Sequence, residues 1–371
     1  MEFTVSRSDL LRELSFSQGV IERKTTIPIL ANLLIEAEEG RIRLTATDLE
    51  LGIHCSCAAT VSQPGSGTIP AKRLLDYVRL LPEAEIKIKF LENQWASITC
   101  GRSRTRIAGM PKDSFPELPV QPESSLKLPA AKLRSMISQT MFAISSEETR
   151  FTLNGALLVL TPTSMKMVAT DGHRLAHVVA EAEIEGVAES QTALLPRKAM
   201  AELSKLIDSL EDEASLAFSF DDNHLFFQSA DRLLITRKLS GSFPDYERVL
   251  PKEQVHQIVL AKDDIRAALE RVAQFSDERS RAVKLALQNG EVKVYSSISD
   301  TGDSEESLSA DYHGELVDIG FNASYLLDFL RAVGGDSIQF CFRDSQSAAE
   351  FRPGGDSTNV LYRYVVMPMR V

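Results

Sequence analysis

The sequence lacks the short signatures that usually announce chemistry. It holds no GxxxxGKS or GxxxxGKT phosphate loop, no GxGxxG fingerprint, no GxSxG elbow and no HExxH pair. The common routes to nucleotide binding, acyl transfer and zinc hydrolysis are thereby removed. Cysteine is scarce: Cys55, Cys57, Cys100 and Cys341 are scattered without CxxC spacing, which favours reduced thiols over a disulfide framework. His54-Cys55-Ser56-Cys57 invites a metal reading, but residues two apart on a strand share a face, so both thiols are expected to pack and no metal is expected. No apolar run approaches the roughly 18 residues of a membrane span, and the opening MEFTVSRSDLLREL lacks a basic-then-apolar leader. The expectation is a cytoplasmic protein with no membrane partner. Basic charge is also short, 41 Lys and Arg against 52 Asp and Glu for a net charge of -11. A uniformly basic nucleic-acid surface is excluded, whereas a mildly basic groove within an acidic exterior is not.

What is present is repetition. At 371 residues the chain is long enough for two or three domains. Three segments run from a strand end into a helix: FTVSRSDLLREL from Phe3, LKLPAAKLRSMI from Leu126 and IVLAKDDIRAAL from Ile258. A second helix recurs as IPAKRLLDYVRLL, LPRKAMAELSKLI and FNASYLLDFLRAV, with apolar residues spaced to share one helical face. Alternating strand segments such as RIRLTATD, SMKMVATD and EVKVYSSISD lie between the helices. Two units close alike, which aligns Ile107 with Ile235 and Phe115 with Phe243. The repeat is domain-sized, so the expected fold is α+β, with three similar domains at 1–121, 122–249 and 250–371.

The stretch VATDGHRL from Val168 brings together an acid, a glycine, a histidine and an arginine. LTATDLEL at Leu44 occupies the same place in the first unit, making Asp48 equivalent to Asp171. An acid repeated without its histidine points to a turn held by side-chain to backbone hydrogen bonds. The catalytic alternative is an Asp/His-dependent hydrolase on a repeated scaffold, which would require a nucleophile and an oxyanion hole around His173.

Taken in order, TIPILANLL, TATDLEL, RFTLNGALL, ATDGHRLA, LPRKAM, FPDYERVLP, FNASYLLDFL and YVVMPMRV span essentially the whole chain. The sequence resembles the β sliding clamps of bacterial DNA polymerase III. The resemblance implies two chains closing a six-domain ring of DNA-clamp domains, helices inside and sheets outside, around duplex DNA held without sequence preference. It implies a processivity factor with no catalytic activity and no cofactor, loaded by a separate clamp loader. A specialised paralogue conferring resistance to a clamp-directed inhibitor shares the same pattern.

By position, the resemblance puts the chain-to-chain contact at Arg102, Arg104 and Ile107 facing Gln274, Phe275, Glu305 and Glu306. Opposite charges around an apolar centre suit such an interface. DNA contacts fall on Lys24, Lys72 and Arg197, with Arg23, Arg73 and Lys198 beside them. A cleft for Gln-Leu-x-Leu-Phe-like peptides of DNA polymerases, the loader and repair proteins falls on Leu153, Thr170, Gly172, His173, Arg174 and Leu175. Pro244, Arg248, Asn322, Tyr325, Val366, Met367, Pro368, Met369 and Arg370 complete it. Aliphatic and methionine side chains suit adaptable pockets, while strand alternation through YVVMPMRV is expected to turn half of that terminus inward as packing.

Overall fold

The computed structural model describes residues 1–21, 26–123, 125–147, 149–298, 302–355 and 360–370. Strand β1 (Glu2–Ser6) feeds helix α1 (Arg7–Ser17). Then come β2 (Asn32–Glu38), β3 (Arg41–Thr47), β4 (Leu51–Ala58), β5 (Thr60–Gln63), β6 (Gly65–Pro70), α2 (Ala71–Leu80), β7 (Glu85–Phe90), β8 (Trp95–Cys100) and β9 (Ser103–Ala108). The middle third repeats the order without a β5 counterpart. It runs β10 (Leu126–Pro129), α3 (Ala130–Thr140), β11 (Gly155–Thr161), β12 (Ser164–Thr170), β13 (Arg174–Glu181), β14 (Gln191–Pro196), α4 (Arg197–Asp208), β15 (Ser215–Phe220), β16 (His224–Ser229) and β17 (Arg232–Arg237). The last third runs β18 (His256–Ala261), α5 (Lys262–Val272), β19 (Ala282–Gln288), β20 (Glu291–Ile298), β21 (Gly302–Ser309), β22 (Val317–Asn322), α6 (Ala323–Ala332), β23 (Ser337–Phe342), β24 (Ala349–Pro353) and β25 (Val360–Val366). Among the described residues no helix is long and apolar enough to cross a membrane.

Local chemistry explains the repeated start. Alternation in β1 buries Phe3 and Val5, and the next residue, Ser6, caps α1 by accepting from the Asp9 N–H. Each opening helix hangs on an equivalent backbone bond: Arg7 N–H to Ala84 O at 3.1 Å, Ala130 N–H to Ala214 O at 2.9 Å, and Lys262 N–H to Asp336 O at 2.9 Å. α1 buries Leu10 and Leu14, and α5 buries Ile265 and Leu269 at the matching turns.

The strands group the chain into two compact units, residues 1–131 with 198–238 and residues 132–197 with 239–371. The first unit holds an eight-stranded sheet, β10-β15-β16-β17-β4-β3-β2-β6, and a five-stranded one, β5-β1-β7-β8-β9. The second holds β14-β11-β12-β13-β25-β24-β23-β18 and a four-stranded sheet, β21-β20-β19-β22. The middle third is thus shared between the units.

Each eight-stranded sheet contains the same junction. β17 pairs antiparallel with β4, Arg232 opposite Cys55 and Thr236 opposite Leu51. β25 pairs with β13, Tyr362 opposite Val178 and Val366 opposite Arg174. Followed through their ladders from the equivalent helix starts, Arg232 and Tyr362 hold the same position, as do Cys55 and Val178. The same path through β1, β7 and β8 makes Ser103 of β9 their third equivalent, and β20 makes Glu306 of β21 the equivalent of Cys55 and Val178. Ile107 therefore matches Thr236 and Val366, one residue away from the sequence alignment with Ile235. The inward alternation of the strand, not the identity of the aliphatic residue, sets the register.

Candidate functional site

The VATDGHRL stretch forms the turn between β12 and β13, and its counterpart between β3 and β4 is built bond for bond alike. Thr170 Oγ1 donates to Arg174 O at 2.6 Å and accepts from Gly172 N–H at 3.1 Å. Thr47 Oγ1 does the same with Leu51 O at 2.9 Å and Leu49 N–H at 3.0 Å. Asp171 Oδ1 accepts from the N–H groups of His173 and Arg174 at 2.9 and 3.1 Å. Asp48 Oδ1 accepts from Glu50 and Leu51 at 2.9 and 2.6 Å. Both turns need a left-handed residue, supplied by Gly172 at φ 90° in one and by Leu49 at φ 79° in the other.

Asp171 is thus committed to its turn. Its Oδ2 accepts from Arg174 Nε at 3.0 Å, and no hydrogen bond or ion pair joins it to the His173 imidazole, which has no side-chain partner among the described residues. Arg174 is equally committed. Nη1 reaches Asp328 at 2.7 Å, Nη2 reaches Phe142 O at 2.7 Å, and the guanidinium lies 4.3 Å from the Tyr325 ring centroid. The acid-base dyad that a hydrolase would place here is absent from this turn.

Beside the turn opens a cavity of about 440 Å³. Leu153, Thr170, Gly172, His173, Arg174, Leu175, Pro244 and Met367 line it, eight of the fifteen residues expected there. Leu175 and Val365 of the lining belong to a buried apolar cluster with Val168, against which Leu157, Phe243, Tyr246, Leu250 and Ala348 pack. Met367 stands at the mouth, 44% exposed, its N–H bonded to His173 O at 2.9 Å. Tyr246, Val249, Ala348 and Val365 also line the cavity and were missed by sequence reasoning. Tyr246 and Val249 lie within FPDYERVLP and Val365 within YVVMPMRV, two segments that carry the family resemblance, whereas nothing local marks Ala348. Val366 is fully buried and paired across to Arg174 and Ala349.

The remaining expected cleft residues lie outside the lining. Arg248 is held by Asp245 at 2.7 Å. Asn322 caps α6 by accepting from Ser324 N–H at 2.9 Å, and Tyr325 sits beneath Arg174. Met369 bridges to Gly320, Pro368 is partly buried and Arg370 is exposed.

The charges proposed for DNA differ in availability. Lys72 is paired with Asp76 at 2.8 Å and Lys198 with Asp48, whereas Arg73 and Arg197 are exposed and have no ion-pair partner among the described residues. Arg23 and Lys24 lie outside the described residues.

β9 and β21 both end their sheets. Arg102 and Arg104 are exposed, while Ile107 is buried in its own domain. On the other side, Gln274 and Phe275 are exposed, Glu305 faces Lys293 at 3.3 Å, and Glu306 is bound by Arg271 of its own chain.

Three like domains, an apolar cleft and the sheet-end strands β9 and β21 are features of a binding module. Family models describe the same chain: the DNA polymerase III beta subunit N-terminal domain matches residues 1–119, the central domain 127–245 and the C-terminal domain 247–370. The beta sliding clamps of Caulobacter vibrioides and Pseudomonas aeruginosa are 37% and 34% identical, each over the full length of both chains. A crystal structure of the sliding clamp from Bartonella birtlesii, bound to griselimycin, superposes with a TM-score of 0.94 at 36% identity, covering all of both chains. The chain belongs to the DNA polymerase III beta subunit family and is a DNA sliding clamp of replication.

Proposed function

We propose that two copies of the chain close head to tail into a ring around duplex DNA, tethering polymerases and repair enzymes through peptides seated in the cleft. The observation that carries this reading is that β9 and β21 each end a sheet with one edge free. At both internal junctions the strand equivalent to β21 binds the strand equivalent to β9, and one of each remains free. A heterologous contact repeated by rotation closes a ring. Copying the internal register onto the free strands sets Arg104 opposite the partner's Glu305, and Arg106 opposite the partner's Asp303. Cross-strand opposite charges favour that register and disfavour others. Five strands meeting four would also give a sheet comparable to the eight-stranded ones.

Three domains, with limits at 1–121, 122–249 and 250–371, fit a six-domain ring. Arg73 and Arg197, with Lys72 and Lys198 beside acids, suit weak phosphate contacts that permit sliding. The chain is a non-catalytic, cytoplasmic processivity factor. Its cleft takes the leucine and phenylalanine anchors of a Gln-Leu-x-Leu-Phe-like peptide, since Leu153, Leu175, Val249, Val365 and Met367 give it apolar walls beside the polar edges of Thr170, His173 and Arg174.

Two measurements test the reading. A labelled Gln-Leu-x-Leu-Phe peptide should bind saturably in fluorescence anisotropy and lose binding to a chain lacking residues 367–371; equal binding by both would remove the cleft. Arg102→Glu with Arg104→Glu should halve the mass in light scattering, and an unchanged mass would remove the interface.

A further inference from the structure

The three equivalent junction positions carry different side chains. At the first, Arg232 is 16% exposed and its guanidinium lies 4.8 Å from the Phe16 ring. It grips Glu13 twice, Nε to Oε2 at 3.0 Å and Nη2 to Oε1 at 3.1 Å, while Nη1 reaches Ser209 Oγ at 3.2 Å. At the second, buried Tyr362 donates to Gln139 O at 2.9 Å and packs 5.3 Å from Phe329. Each last strand thus sends one large side chain onto the opening helix of the preceding domain.

The third position is Ser103, which is exposed and too short to reach a helix. Phe16 and Gln139 hold equivalent positions on α1 and α3, and the matching residue on α5 is Arg271. Arg271 forms a two-bond ion pair with Glu306, the residue the copied register puts opposite the partner's Ser103. Here the opening-helix residue is held by a strand of its own chain.

We propose that Ser103, together with the Arg271–Glu306 pair, makes the junction between two copies the separable one of three otherwise like junctions. The occupant is a second copy of this chain, so the inference rests on the head-to-tail reading. Arg271 and Glu306 satisfy each other whether or not a partner is present, so separation leaves neither charge unpaired. Removing Arg232 from Glu13 would instead expose an anchored acid and an aromatic face. The two internal junctions thus keep their anchors, and the junction between copies lacks one.

Transplanting the internal anchors tests this. Ser103→Arg with Arg271→Phe copies the Arg232-over-Phe16 arrangement, with Glu306 as the carboxylate. Ser103→Tyr with Arg271→Gln copies Tyr362 over Gln139. Both sites are exposed in the single chain, so the fold is retained, as unchanged thermal unfolding at monomer concentrations checks. Sedimentation velocity across a dilution series should give a dimer dissociation constant lower by about tenfold or more in at least one variant, with slower exchange of labelled subunits. Two folded variants with unchanged or weakened dimers would overturn the proposal. A parent chain monomeric at every concentration would remove the head-to-tail reading itself. In that case a transplant that creates a dimer upholds the role of Ser103, and one that does not overturns it.

Discussion

The two Thr-Asp turns supply an internal control for one backbone effect. Leu49 adopts φ 79° where its counterpart Gly172 adopts φ 90°, with the same four hydrogen bonds around each. A left-handed non-glycine residue costs about 1–2 kcal/mol, and glycine loses about 0.5–1 kcal/mol more backbone entropy on folding. Leu49 is 56% exposed, so little burial is forfeited on its removal. Leu49→Gly should therefore stabilise the first compact unit by about 0.5–1 kcal/mol, or ~1–4 °C in its transition for a unit of this size. Gly172→Ala should act in the opposite sense and more strongly. Its new Cβ would lie 2.9 Å from Arg150 Nη1, which donates to Asp171 O at 2.8 Å, and disturbing that bond adds about 1 kcal/mol. The total is ~1.5–2 kcal/mol lost from the second unit, with weaker peptide binding because the turn walls the cleft. Calorimetry of both variants beside the parent decides the matter. A destabilised Leu49→Gly, or a neutral Gly172→Ala, would refute the claim that left-handed strain separates the two turns.

Further outcomes follow from buried polar groups. Arg232→Ala should destabilise the first unit by about 3 kcal/mol, because Glu13, only 3% exposed at its side chain, then keeps Arg12 alone; urea titration measures it. His177 lies in the second unit, and burial, then the charge of Lys166, pushes its imidazole down to about 4. The unfolded chain takes up a proton below about pH 6.5 that the folded state refuses, so stability should fall as pH drops from 6.5 to 4, by up to roughly 3 kcal/mol. His177→Leu should flatten that slope in thermal unfolding, and an unaltered slope would discount the residue. Burial likewise pushes His54 down to about 4, so the first unit should have an acid-sensitive component of the same sign, removed by His54→Val. Met367→Asp should weaken peptide binding at least about tenfold, because it puts a charge at an apolar mouth; anisotropy reads it directly.

The threefold repeat, the helix faces and the Thr-Asp turns are legible in the sequence, because each is written in residues close along the chain. Ser6 before Arg7, the alternation of Phe3 and Val5, and the matched TATDLEL and VATDGHRL stretches need no distant partner to be recognised. The family resemblance carried most of the cleft residues, since both of its rims lie in recognisable segments. Which strands pair across thirds and which ends stay bare is settled by the folded chain. Strand pairing is a long-range choice: β9 and β17 hold equivalent places in their domains, yet only β17 is covered by a further strand. For the same reason the compact units divide the middle third, Val365 rather than Val366 lines the cleft, and Ile107 matches Thr236. Alternation gives a strand two faces, but the elements packed on each side choose between them. The sequence likewise presents Arg174, Arg232 and Arg271 as three surface-type charges. Their neighbours in space make the first the brace of a turn, the second an anchor and the third a plug.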